Sequence, residues 1–260
     1  MTAFVTMGDG CRIAYRLDGP EGAPVLLLSN SLGVTMEMWA PQLAAFGRGR
    51  RVLRYDSRGH GASDVPKGAY SIDRLGRDVI ELLDALDIES VDFCGLSKGG
   101  MVGQWLGYRA PERVGRLILC NTSSYMGPPE SWDARIATLG QAGMAVMVEP
   151  VLERWFRPDF LATGAAAIAS VRRMLEETEA AGYAGCCAAI RDMDMRRVVS
   201  LITLPTLVIA GDADPATPIA HSEALVAGIA GARLAILPAA HLSNVEQPAR
   251  FTQTVLDFLD

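Results

Sequence analysis

Val91-Asp92-Phe93-Cys94-Gly95-Leu96-Ser97-Lys98-Gly99-Gly100 runs as an apolar strand, breaks at Gly-x-Ser-x-Gly and passes into a helical pattern over Gly99–Tyr108. Glycines two before and two after the serine suit a strand-to-helix turn too tight for a side chain at either place. Such a turn, a nucleophile elbow, lifts the Ser97 hydroxyl clear of the sheet edge and leaves the Lys98 amide free at a helix N-terminus. The helix dipole favours negative charge developing beside it. Gly and Ser are common in loops, so the motif alone is a modest signal. Its place between strand and helix makes Ser97 a candidate nucleophile.

Outward from the elbow, strand-like and helix-like patterns alternate. Gly8-Asp9-Gly10 between Phe4–Thr6 and Arg12–Leu17 signals an N-terminal hairpin. Val25–Leu28 and Val52–Tyr55 are short apolar runs, each followed by a helical pattern, Trp39–Phe46 and Ser71–Leu86. After the elbow come a strand at Val114–Cys120, two more at Pro205–Ala210 and Leu234–Leu237, and a closing amphipathic helix at Pro248–Leu259. Apolar strands separated by helices predict an α/β fold with a mostly parallel central sheet flanked by helices. The alternation lapses over 124–196, where Ala, Met and Arg recur with helical spacing and no strand-like run. That is long for a crossover, so it reads as a helical lid inserted after the strand that follows the elbow. The expected division is a core in two parts, 1–123 and 197–260, interrupted by a lid at 124–196.

Composition narrows the class. A chain of 260 residues, half of them hydrophobic, can bury one large α/β core. Its net charge of −6 and lack of a basic cluster argue against nucleic acid or a membrane surface as partner. Met1–Thr6 has neither a basic start nor an apolar run, so no secretory signal is expected, and no apolar run approaches a membrane span. The five cysteines form no CxxC pair and read as reduced, buried thiols of a cytoplasmic protein. The oligomeric state is left open.

A serine nucleophile needs a base, and there are three histidines. When the triad runs in the order serine, acid, histidine, His60 falls upstream of Ser97 and reads as a residue pinning the turn in Arg58-Gly59-His60-Gly61. His221, near a helix start after Pro218, reads as solvated. His241, after a late strand and before the last helix, is the candidate base. Beyond the strand at Pro205–Ala210 stand Asp212 and Asp214. Asp214, in a loop braced by Pro215 and Pro218, is the candidate acid, and Asp212 reads as a turn cap. Asn121, after the strand that follows the elbow, could occupy an acid position but carries no charge. The loop Ser29-Asn30-Ser31-Leu32-Gly33 follows the first central strand, so the Leu32 amide could pair with that of Lys98 as an oxyanion hole. Such a donor contributes about 3 kcal/mol of transition-state stabilisation. No His, Cys or carboxylate cluster has metal-ligand spacing, and no cofactor is expected.

Together the elbow, Arg54-Tyr55-Asp56-Ser57-Arg58-Gly59-His60-Gly61-Ala62-Ser63, Asp214 and His241 resemble the α/β-hydrolase superfamily. Leu28-Ser29-Asn30-Ser31-Leu32-Gly33, Phe93–Ser97 and Gln104-Trp105-Leu106-Gly107 further resemble the 3-oxoadipate enol-lactone hydrolases. So do Cys120-Asn121-Thr122, Trp132, Arg154-Trp155-Phe156 and His241-Leu242-Ser243-Asn244, and the likeness covers nearly the whole chain. It implies the α/β-hydrolase fold and hydrolysis of a small-molecule lactone or ester, namely the enol-lactone that yields 3-oxoadipate in the β-ketoadipate pathway of aromatic-acid catabolism. One departure stands beside the nucleophile. That family usually has methionine where this chain has Lys98, whose ammonium would reach solvent along the pocket wall or draw in an anionic substrate. Trp132, Arg135, Arg154 and Trp155 of the inserted segment are candidate substrate-binding residues, Arg135 as a bidentate partner for a carboxylate. Rival readings are a general carboxylesterase, a C–C bond hydrolase, a cofactor-free haloperoxidase or a ligand receptor without turnover.

Overall fold

The computed structural model describes residues 2–260; Met1, where the N-terminal reading begins, lies outside them. In chain order the elements are β1 Ala3–Thr6, β2 Arg12–Asp18, β3 Val25–Ser29, α1 Ala40–Phe46, β4 Arg51–Tyr55, α2 Ile72–Ala85, β5 Val91–Leu96, α3 Lys98–Arg109 and β6 Val114–Cys120. Five helices follow without a strand: α4 Pro129–Ala142, α5 Ala145–Trp155, α6 Pro158–Thr163, α7 Ala165–Glu177 and α8 Ala180–Arg191. The chain then re-enters the sheet through β7 Thr206–Gly211, α9 Ile219–Gly228 and β8 Arg233–Leu237, and closes with α10 Ser243–Glu246 and α11 Pro248–Leu259.

The sheet has eight strands in the order β1-β2-β4-β3-β5-β6-β7-β8. β1, β2 and β4 pair antiparallel and the rest parallel. Every residue of β5 and β7 is buried, as strands covered by helices on both faces require. This is the α/β-hydrolase fold expected from the alternation of apolar strands and helices. Ser71 caps α2, accepting from the Arg74 amide, and that helix buries Leu75, Val79, Leu82 and Leu83 on one face. The five cysteines are unpaired and buried. Among the described residues no helix is long and apolar enough to cross a membrane.

Topology gathers the loops that matter. β3 lies beside β5 with Ser29 opposite Gly95, so the loop after β3 emerges next to the elbow. β6 flanks β5 on its other side, β7 flanks β6 and β8 flanks β7. Four loops, beginning at Asn30, Ser97, Asn121 and Asp212, therefore leave the same carboxyl edge of the sheet, where open α/β sheets bind ligands. The helices between β6 and β7 pack onto this edge by a close backbone approach. A Cβ on Gly182 of α8 would meet the Gly59 carbonyl oxygen at 2.1 Å. Glycine is what lets the two chains touch.

Candidate active site

Ser97 sits between β5 and α3 with φ 56° and ψ −114°, a conformation that L residues rarely hold without surrounding constraint. The constraint is visible. Its amide donates to the Cys120 carbonyl at 2.8 Å, and Thr122 Oγ1 donates to its own carbonyl at 2.7 Å. A Cβ on Gly95 would come within 2.2 Å of the Gly99 carbonyl oxygen, and one on Gly99 within 2.1 Å of that of Ser29. Both glycines of the motif are sterically required, the second because the elbow is pressed against the end of β3.

His241 and Asp214 meet across the adjacent loops. Gly211 leaves no room for a Cβ against the Ala239 and Ala240 carbonyls, and the Ala213 amide donates to the Ala239 carbonyl at 3.0 Å. His241 Nδ1 then donates to Asp214 Oδ2 at 2.8 Å, with both residues nearly inaccessible. The carboxylate is further held by the Ala216 and Thr217 amides on Oδ1, and by Thr217 Oγ1 and Asn121 Nδ2 on Oδ2. Burial alone would push this carboxyl up. The neighbouring His241 and the bonds from His241 and Thr217 outweigh it and bring the pKa down to about 2. Asp212 is exposed and pairs with Arg157 at 3.6 Å, away from the imidazole.

The His241 loop is anchored from two sides. Its amide and that of Leu242 both donate to the Trp155 carbonyl at the end of α5, at 3.1 and 3.2 Å. The Ala240 amide donates to the buried Glu246 carboxylate at 2.8 Å, and burial raises that carboxyl.

Ser97, His241, Ser31 and Leu32 line one cavity of about 270 Å³, below the span usual for drug-sized ligands. Neither the Leu32 nor the Lys98 amide donates to an acceptor among the described residues. The opposite wall comes from the inserted helices and includes Trp132, Arg135, Arg154, Trp155 and Tyr183. Trp132 Nε1 donates to the Met126 carbonyl at 2.7 Å, and the Arg135 guanidinium lies 4.7 Å from the Trp132 ring centre. Trp155 lies 6.0 Å from the His241 ring, centre to centre. Burial and the charge of Arg135 lower the Arg154 guanidinium, and neither arginine has an acidic partner among the described residues.

Four expectations need correction or extension. Lys98 neither reaches solvent nor lines the cavity: it is 1% exposed, because the start of α3 is covered by the loop of His60 and by α8. Burial lowers its pKa, while Cys186, Asp56 and Asp78 oppose that in part. His221 is half-buried with Nδ1 shielded from water, since α9 lays it against the body of the protein. His60 does more than pin its own turn, for Nε2 accepts from the Gly33 amide at 2.9 Å, in the loop after β3. Asn121, set aside for want of charge, serves as a donor to Asp214. Ser31, Met101, Tyr183 and Pro215 also line the cavity. Of these, Ser31 and Pro215 carried a sequence signal, as the neighbours of Leu32 and Asp214.

Residues 24–248 match the family described as alpha/beta hydrolase fold. The chain is 41% identical to "3-oxoadipate enol-lactonase 2" of Acinetobacter baylyi, covering 93% of this chain and 90% of that protein. It superposes on the enol-lactonase of Burkholderia xenovorans LB400 with TM-score 0.97 and 43% identity, over 99% of each chain. A hydrolase from Pseudomonas aeruginosa PA01 gives the same TM-score at 51% identity, over 99% of this chain and 98% of that one. With a family match over residues 24–248 and relatives of this identity over nearly its whole length, the chain belongs to the α/β-hydrolase fold family.

Proposed function

We propose that this protein is a serine hydrolase of carboxylic esters that opens the ring of 3-oxoadipate enol-lactone to give 3-oxoadipate, a step of aromatic-acid breakdown. The observation that carries the reading is the hydrogen-bonded His241–Asp214 couple on the cavity that also holds the strained Ser97. Ser97 is the nucleophile, His241 the base and Asp214 the group that orients the imidazole. Residues 124–196 form the lid.

As Ser97 Oγ attacks the lactone carbonyl carbon, His241 Nε2 takes its proton and Asp214 stabilises the imidazolium. The oxyanion lies against the Leu32 and Lys98 amides, which have no competing acceptor. Collapse breaks the bond to the ring oxygen, which leaves as an enol carrying the proton from His241. Water activated by His241 then attacks the acyl-enzyme, releases the new carboxylate and restores Ser97. The enol becomes a ketone in solution. An enol is a better leaving group than an alkoxide, so the demand on the general acid is modest.

The lactone carries an acetate side chain, and Arg135 and Arg154, two guanidiniums on the cavity with no acidic partner among the described residues, suit it. A carboxylate between them would form charge-assisted hydrogen bonds and relieve their mutual repulsion. Trp132 and Trp155 supply the flat apolar walls for the ring.

Purified protein assayed on enzymatically generated enol-lactone beside p-nitrophenyl acetate tests the assignment. A kcat/KM at least about a hundredfold higher for the lactone is expected, since a charged hydrogen bond is worth roughly 1.5–3 kcal/mol and two are available. Equal or reversed preference would make the protein a general carboxylesterase. A single slow burst without turnover would make it a receptor.

A further inference from the structure

Of the polar groups that the proposed mechanism leaves unused, the His60 imidazole is the one wired to the reacting centre. The loop 29–33 is held residue by residue. Ser29 Oγ and the Tyr55 hydroxyl are hydrogen-bonded at 2.8 Å. Asn30 Nδ2 donates to the Tyr55 carbonyl at 2.8 Å, and Asn30 Oδ1 accepts from Trp39 Nε1 at 2.9 Å. At the far end the Gly33 carbonyl accepts from Thr178 Oγ1 at 3.2 Å, while the Gly33 amide donates to His60 Nε2 at 2.9 Å. Gly33 has φ +80°, and a Cβ there would strike the Tyr183 ring at 2.7 Å, so the loop has little room to find another partner. Leu32, which lines the cavity, sits between these fixed ends.

We infer that His60 is a positioning residue for the oxyanion hole: its neutral imidazole, with the proton on Nδ1, holds the Gly33 amide through Nε2 and thereby aims the amide of Leu32. The inference rests on the proposed role of Leu32. The tautomer follows from the surroundings. Nδ1 lies 3.3 Å from the Arg58 carbonyl, which can only accept, so Nδ1 carries the hydrogen and Nε2 is left bare. Protonating Nε2 would set N–H against N–H at Gly33 and break the anchor.

The environment keeps the ring neutral. His60 is 1% exposed, and burial, then the positive charge of Lys98 on α3, hold its pKa well below the ordinary histidine value. The other titratable groups packed around it are Asp56 and Arg58 of its own loop, and Tyr183 and Cys186 of α8. Arg58 is committed to Asp78 and Asp9, and Asp56 to the Met36 and Ala62 amides. Cys186 Sγ shares the Arg58 carbonyl with the imidazole, and burial raises both that thiol and the Tyr183 hydroxyl. Among the described residues, no carboxylate is free to draw a second proton onto the ring. The lysine beside the nucleophile thus acts on the oxyanion loop through His60.

The test compares His60→Leu and His60→Gln with wild type for kcat, KM and inhibition by an alkylboronic acid, which forms a tetrahedral adduct on the serine. His60→Leu should lower kcat by about ten- to a hundredfold, somewhat less than deleting an oxyanion donor outright. KM should change less than threefold, and boronate affinity should fall in step with kcat. His60→Gln, whose Oε1 can accept from Gly33, should recover most of both. As a reading that does not depend on the folding of His60→Leu, ¹⁵N NMR of the wild-type imidazoles, with the His60 signal assigned by its loss in His60→Gln, should show that ring neutral, protonated on Nδ1, and still neutral where an ordinary histidine has taken up its second proton. A folded His60→Leu with wild-type kcat and boronate affinity overturns the inference, as does an Nε2-protonated tautomer. Ser97→Ala serves as the reference. If it retains full activity, the proposed function itself fails; if it is inactive while His60→Leu is unimpaired, only the role of His60 fails.

Discussion

Replacing Lys98 with methionine should make the protein more stable. The ammonium is 1% exposed and has no ion-pair partner among the described residues, although Asp56, Asp78 and Cys186 lie near enough to attract it. Exchanging buried ionic groups for well-packed apolar ones of similar volume is neutral to stabilising, by about 1–4 kcal/mol. Methionine keeps the length of the stem. Part of the gain is offset because Asp56, already raised by burial, loses a favourable charge. A net gain of about 1–3 kcal/mol remains, and near 2 °C per kcal/mol for a chain this long, Tm should rise by about 2–6 °C. The sign of the pH dependence follows from the depressed lysine pKa. Between that value and the unfolded 10.5, the unfolded wild type binds more protons than the folded one, so wild-type stability rises with pH there. The advantage of methionine should be full at neutral pH and shrink as pH climbs toward 10.5. Urea titrations of both proteins at pH 7, 8.5 and 9.5 measure it. A variant less stable than wild type at pH 7, or an advantage that grows with pH, would refute the picture of an uncompensated buried cation. Since only the side chain changes, kcat should stay within about threefold at its optimum, while the acidic limb moves to higher pH as His60 loses the charge that keeps it neutral.

Asp214→Asn should reduce turnover by about 10⁴ through loss of imidazole orientation, and Asp212→Asn, which breaks only an exposed ion pair, by less than twofold; steady-state kinetics on one substrate decides the order. Because the Asp214 carboxyl sits at about 2, kcat/KM should show no second, carboxylate-like acid limb between pH 3 and 5 in an acid-tolerant assay. Arg135→Met and Arg154→Met should each raise KM for the anionic lactone by about tenfold or more and leave p-nitrophenyl acetate within threefold. Gly182→Ala forces a Cβ onto the Gly59 backbone and should cost about 1–3 kcal/mol in urea unfolding.

The elbow was legible because its motif is contiguous: Gly95 must clear the Gly99 carbonyl within the same turn, although Gly99 must clear that of Ser29 on β3, which the sequence alone does not show. That Asp214 and His241 come within hydrogen-bond distance could be expected from chain order, since each follows a strand that must end at the same edge of a parallel sheet. What escaped notice depends on contacts between distant loops. Asn121 donates to Asp214 across ninety-three residues, and His60 accepts from Gly33 across twenty-seven. Neither pairing leaves a periodicity or a spacing. Lys98 was misjudged because a lysine's ordinary fate is to reach water. Only the packing of α8 and the His60 loop over the start of α3 denies it that path. Helical spacing over 124–196 announced helices, but which of their arginines turn inward depended on the packing of five short helices.

The central claim is that Ser97 attacks the lactone, and the most direct measurement is turnover of 3-oxoadipate enol-lactone by wild type and Ser97→Ala, followed by loss of lactone absorbance and release of acid. Wild type should complete many turnovers, and the variant, folded to the same Tm within about 2 °C, should fall by at least a thousandfold, as nucleophile deletions in triad enzymes do. A variant that keeps more than a tenth of wild-type turnover, or a wild type that releases no acid from the lactone, would contradict it.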